Sequence, residues 1–127
     1  MSADVSVDEA APTILVVEDD HELREAMLDL MRAEGYRARG VPDADSARRT
    51  YDEARPALML VDLDGNDVEA LARQTRCPMI LVSTRMNLHA VASSLGVPLV
   101  PAPFDVDVLL DHVVRALAHP YERGSER

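Results

Sequence analysis

An α/β fold around a parallel sheet is what this sequence predicts, and three observations carry that reading. Short apolar runs alternate with longer amphipathic stretches, the signature of successive β–α units. Two of the runs, residues 13–17 and 57–61, are apolar almost throughout, as strands covered on both faces are. Acidic residues follow directly on both, where an open sheet places its ligand crevice.

The first run, residues 13–17, is rich in β-branched side chains and reads as a central strand. In residues 21–34, Leu23, Met27, Leu30 and Met31 form one apolar helical stripe, and Gly35 can end that helix in a left-handed cap. Residues 36–41 alternate weakly and carry two arginines, the charged pattern of an edge strand. Residues 43–54 give a short helix. Residues 57–61 form a buried strand that stops at Asp62, and a helix follows over about residues 67–75. Residues 78–82 are the fourth strand, residues 86–95 a helix closed by Gly96, and residues 97–100 a fifth strand limited by Pro101 and Pro103. Asp105 can cap a last helix whose stripe is Val106, Leu109, Leu110, Val113 and Leu117, with Pro120 barring its continuation. The prediction is a flavodoxin-like sheet in the order 2-1-3-4-5 with helices on both faces.

Length allows one such domain, because a second core needs roughly another 50 residues. We place it at residues 13–119, after a flexible acidic arm over residues 1–12 and before a polar tail over residues 120–127. At 47% hydrophobic and 28% charged residues the composition is that of an ordinary globular protein, and no apolar run is long enough to span a bilayer. The N-terminus is acidic and polar where a signal peptide is basic and then apolar, so a cytoplasmic address is expected. Cys77 has no second thiol to pair with and reads as structural. A net charge of −10 argues against direct nucleic-acid contact, and 3% aromatic residues leave no base-stacking platform. Partners should be proteins or cations. All thirteen basic residues are arginine, so the chain has no lysine.

Glu18, Asp19 and Asp20 follow the first strand, and Asp62 and Asp64 the third, its neighbour in the predicted order. Carboxylates brought that close repel one another unless a cation neutralises them. Oxygen donors alone, with positions left open, suit Mg2+.

These residues resemble the receiver domains of two-component response regulators, which share the CheY-like form of this fold. The resemblance runs from Thr13 to about Ala118 and rests on Ile14-Leu15-Val16-Val17-Glu18-Asp19-Asp20, on Asp62 ending an apolar strand, on Ser83-Thr84, and on Pro103-Phe104. It implies that Asp19 holds Mg2+ directly and Glu18 through water, and that Asp62 is both phosphoacceptor and metal ligand. Asp64 would lend a backbone carbonyl to the metal. Ser83 would bond a phosphoryl oxygen, with small Thr84 beside it. The implied donor is a histidine kinase or a histidine phosphotransfer protein. The output is a protein–protein contact rather than catalysis, and pairing of two copies through the fourth helix, fifth strand and fifth helix is a further implied mode of association.

The chain departs from the family's pattern at two positions. Ala102 stands where the family has a lysine that bonds the phosphoryl group, and Leu99 where it often has an aromatic residue that reports phosphorylation. A stand-alone phosphoacceptor is therefore weighed against a pseudo-receiver, a protein-binding module that works without phosphorylation. A third reading comes from Val61-Asp62-Leu63-Asp64-Gly65, which resembles the Asp-x-Asp-Gly motif of Asp-nucleophile phosphatases, but this run is not on the first strand and no lysine follows it.

Ordinary structural roles compete for the same residues. Glu18, Asp19 and Asp20 could simply favour a helix start, Asp62 could form a turn, and Ser83 or Thr84 could cap the next helix. Arg85 could swing toward the phosphoryl site in place of lysine, although an arginine just past a strand is ordinarily solvated. His21, His89, His112 and His119 show no metal-pair spacing, and Met27, Met31, Met59, Met79 and Met86 read as core filler.

Overall fold

In a computed structural model, residues 11–85 and 87–119 are described. Met86, the tail and all of the arm except Ala11 and Pro12 lie outside them. Ten elements alternate: β1 (Thr13–Glu18), α1 (His21–Ala33), β2 (Arg37–Val41), α2 (Ala44–Ala54), β3 (Leu58–Asp62), α3 (Gly65–Gln74), β4 (Met79–Ser83), α4 (Leu88–Leu95), β5 (Leu99–Pro101) and α5 (Val106–Ala118). The strands form one sheet in the order β2-β1-β3-β4-β5, as predicted. Every pairing is parallel.

The period of two along each strand divides the core. Leu15, Val17, Met59, Val61 and Leu81 point to one face, where Ala47 and Tyr51 of α2, Val68 and Leu71 of α3, and Leu88 and Ala92 of α4 cover them. Ile14, Val16, Leu58, Leu60, Ile80 and Val82 point to the other, against Met27, Leu28 and Met31 of α1 and Leu109 and Val113 of α5. The central strands are covered on both sides, which is why their sequences are apolar throughout. Cys77 is buried, its Sγ 3.3 Å from the Pro56 carbonyl, in the structural role expected. Among the described residues no helix is long and apolar enough to cross a membrane.

Several boundaries move, each for a local reason. The stripe of α1 is centred on Met27, Leu28 and Met31, and Leu23 and Leu30 are only half-buried. Asp64 caps α3 by accepting from Asp67 N at 3.0 Å, so that helix starts at Gly65 rather than near Asp67. Neither Ser83 nor Thr84 caps α4, which follows Asn87. Pro101 belongs to β5, and Val106 stays exposed instead of joining the α5 stripe. Asp105 does cap α5, accepting from Asp107 N and Val108 N. Gly35 and Gly96 take the positive φ that left-handed helix ends require, and Arg55 does the same after α2, unannounced by a glycine. Pro12, assigned to the arm, accepts a hydrogen bond from Arg37 N at the start of β2.

Candidate functional site

The carboxyl ends of β1 and β3 bring two acids together. Glu18 is the register partner of Asp62, each the last residue of its strand. Adjacent strands lie about 4.8 Å apart, so the two side chains share one small volume. Glu18 is 2% exposed, and the Asp62 side chain 12%. Glu18 Oε2 accepts from Asp20 N at 3.0 Å, whereas Glu18 Oε1 and Asp62 Oδ1 are buried with no hydrogen-bond partner.

Burial pushes the Glu18 carboxyl up to about 8. The Asp20 N–H opposes this, and the charge on Asp62 adds to it. Neutralising this pair is the electrostatic demand of the site.

The turn after β1 is held from both ends. Asp20 caps α1 by accepting from Leu23 N at 3.1 Å, which is the capping role open to the acidic triplet, while Asp19 stands exposed between cap and pocket. One turn into α1, Arg24 reaches back and donates from Nη1 to the Glu18 carbonyl at 2.7 Å. Gly40 on β2 leaves the room for it: a Cβ there would lie 3.1 Å from Arg24 Cγ and Cδ and 2.9 Å from Leu28 Cδ1.

After β3 only Leu63 and Asp64 precede α3. Leu63 is buried in the core, and the Asp64 carbonyl, considered above as a metal donor, accepts the first helical bond from Val68 N at 2.9 Å. Ser83 ends β4 and is 3% exposed. Its Oγ accepts from Arg85 N at 2.9 Å, while Thr84 faces solvent. Arg85 departs from the solvated role ordinarily expected of it: its Nε lies 3.6 Å from Asp62 Oδ1. Ala102 is half-buried beside Ser83, donating from its N to the Ser83 carbonyl at 3.0 Å, and the Ala102–Pro103 bond is cis. Leu99 packs half-buried in β5 against the core.

Among the described residues no group of three or more His, Cys, Asp or Glu side chains is placed to hold a metal ion. Mg2+ needs less, since one or two carboxylates suffice with water or phosphate oxygens completing the shell. The two orphaned oxygens of Glu18 and Asp62 meet that requirement. The sequence pointed to both acids and, because it contains no lysine, raised Arg85 as a stand-in, but it gave no sign of the reach of Arg24.

No protein-family model matches the chain. Relatives are nevertheless found along much of it. It is 33% identical over 79 residues to the sensory transduction protein RegX3 of Mycobacterium tuberculosis, covering 58% of this chain and 35% of RegX3. It is 31% identical over 109 residues to the transcriptional regulatory protein CseB of Streptomyces coelicolor, covering 79% of this chain and 47% of CseB. The chain thus spans less than half the length of either relative. Among solved structures, the receiver domain of the Francisella response regulator 1452 superposes with a TM-score of 0.74 over 84% of this chain and 97% of that one, at 20% identity. The chain thus shares sequence with response regulators and has the fold of their receiver domains.

Proposed function

We propose that this receiver accepts a phosphoryl group on Asp62, with Mg2+ held by Glu18 and Asp62 and by Asp19 turning in from its exposed position, and signals through contact with another protein in the cytoplasm. The observation that carries the reading is Asp62 Oδ1: a carboxylate oxygen at the carboxyl end of a central strand, buried, without a hydrogen bond and beside a second acid. A histidine kinase or a histidine phosphotransfer protein is the donor this reading requires.

Each residue has a task in that chemistry. Asp62 supplies the attacking oxygen, and its place at the end of β3 keeps that oxygen from wandering. Bound Mg2+ offsets the repulsion between carboxylate and phosphoryl oxygens. Ser83 Oγ accepts from Arg85 N and retains its own hydrogen, which can be donated to a phosphoryl oxygen. Glu18 must lose its proton before it can serve a cation, so its raised pKa places metal binding in competition with protonation.

The test is intact-protein mass after incubation with acetyl phosphate and Mg2+. A Mg2+-dependent gain of one phosphoryl group in the wild type, absent from Asp62→Asn, supports the reading. Ala102 and the lack of any lysine favour a second reading, the phosphorylation-independent binding module. No mass gain, together with no Mg2+-induced spectral change, would decide for it. Against phosphatase activity, the Asp64 side chain caps α3 where such an enzyme needs a general acid. Phosphomonoester turnover should be absent.

A further inference from the structure

We propose that Arg85 supplies the cationic contact to the phosphoryl group on Asp62; this rests on Asp62 being the acceptor. The chain has no lysine, and beyond the β5 end, beside Ser83, stands Ala102 with only a methyl group. The cation comes instead from the β4 end. Arg85 Nε lies 3.6 Å from Asp62 Oδ1, an oxygen to which no hydrogen bond is made.

Two features distinguish this pair from an incidental surface contact. Arg115 and Asp111 on α5 form a close pair at 2.7 Å, but both side chains are more than half exposed and one helical turn apart, a geometry that contributes little. Arg85 and Asp62 come from the ends of different strands, at 33% and 12% side-chain exposure. The backbone of Arg85 is also anchored, because its N–H is held by the buried Ser83 Oγ. An anchored backbone with a partly exposed side chain lets the guanidinium shift outward by the depth of a phosphoryl group while staying at the site. Its planar array of donors suits phosphoryl oxygens.

The transfer balances without further reactants. Asp62 Oδ forms its bond to phosphorus as the bond from phosphorus to the donor's oxygen or nitrogen breaks, and the leaving atom keeps the electron pair. Arg85 stays protonated throughout, opposing the charge on the phosphoryl oxygens from the side away from Glu18.

The experiment compares wild type, Arg85→Gln and Arg85→Lys for the initial rate of acetyl phosphate labelling with Mg2+ present, and measures Mg2+ affinity separately by calorimetry. Removal of one preorganised electrostatic contact should slow labelling by about tenfold or more in Arg85→Gln. Arg85→Lys should recover part of the rate. Mg2+ affinity should be unchanged or tighter in Arg85→Gln, since a competing cation is lost. Equal labelling rates in wild type and Arg85→Gln overturn the proposal and leave Asp62 as acceptor intact. Weakened Mg2+ binding in Arg85→Gln also overturns it, by showing that the residue acts through the metal site. An unlabelled wild type overturns the proposal and the acceptor reading together.

Discussion

Glu18 and Asp62 are register partners at the carboxyl ends of two central strands, and each keeps one buried carboxylate oxygen without a hydrogen bond. Such an arrangement destabilises the chain unless a proton or a cation neutralises it. Its consequences for stability follow from which of these is present.

In the metal-free chain Arg85 faces Asp62, and a proton neutralises Glu18. Burial raises the Glu18 pKa from 4.5 to about 8, so the folded chain holds that proton more tightly than the unfolded one. The associated stability is complete below pH 4.5 and is lost as pH rises towards about 8. Urea denaturation in the presence of a chelator should show this decline in wild type relative to Glu18→Gln, which cannot titrate there. A constant difference between the two proteins across that window would refute the assignment.

Above that window a cation should take over. Mg2+ at one hundred times its dissociation constant should stabilise the fold by about 2.7 kcal/mol, read as a rise in melting temperature. Asp62→Asn removes one of the two charges and should lose most of this gain. The gain should grow with pH through the titration of Glu18, because the bound ion requires the carboxylate. An equal rise in Asp62→Asn would mean that the ion binds elsewhere.

Gly40→Ala tests the support beneath the site. The new methyl would crowd Leu28 and the Arg24 stem, both able to shift at some cost. Destabilisation of about 1 kcal/mol, the low end of overpacking effects, is expected in chemical denaturation. Arg24 would also be drawn off the Glu18 carbonyl, visible as a chemical-shift change at Glu18. Unaltered stability and unaltered shifts would show that Arg24 is not held in this way.

Ala102→Lys places an ammonium group beside Ser83. If the cation at the site is the limiting element, acetyl phosphate labelling should accelerate several-fold. The effect of Arg85→Gln should also shrink in the Ala102→Lys background, since residues sharing one task are not additive. Full additivity of the two substitutions would separate their roles.

The local code was legible where a residue acts through its neighbours in sequence. Apolar runs identified the strands, Asp105 announced the start of α5, and Gly35 and Gly96 marked helix ends. Glu18 and Asp62 could be expected side by side because a parallel sheet places the residues that end its central strands in one crevice. The early start of α3 was missed because Asp64 reads equally as loop, ligand or cap until Asp67 N is beside it.

What the sequence by itself determined is the sheet, its order and the acidic character of its crevice, since these follow from periodicity and from the residues that end each strand. Only the tertiary structure decided that Glu18 is buried enough to hold its proton, that Arg24 returns to the Glu18 carbonyl, and that Arg85 faces Asp62. The physical reason is distance along the chain. Asp62 and Arg85 are separated by a helix and a strand, and nothing in either local sequence encodes the few ångströms between them after folding.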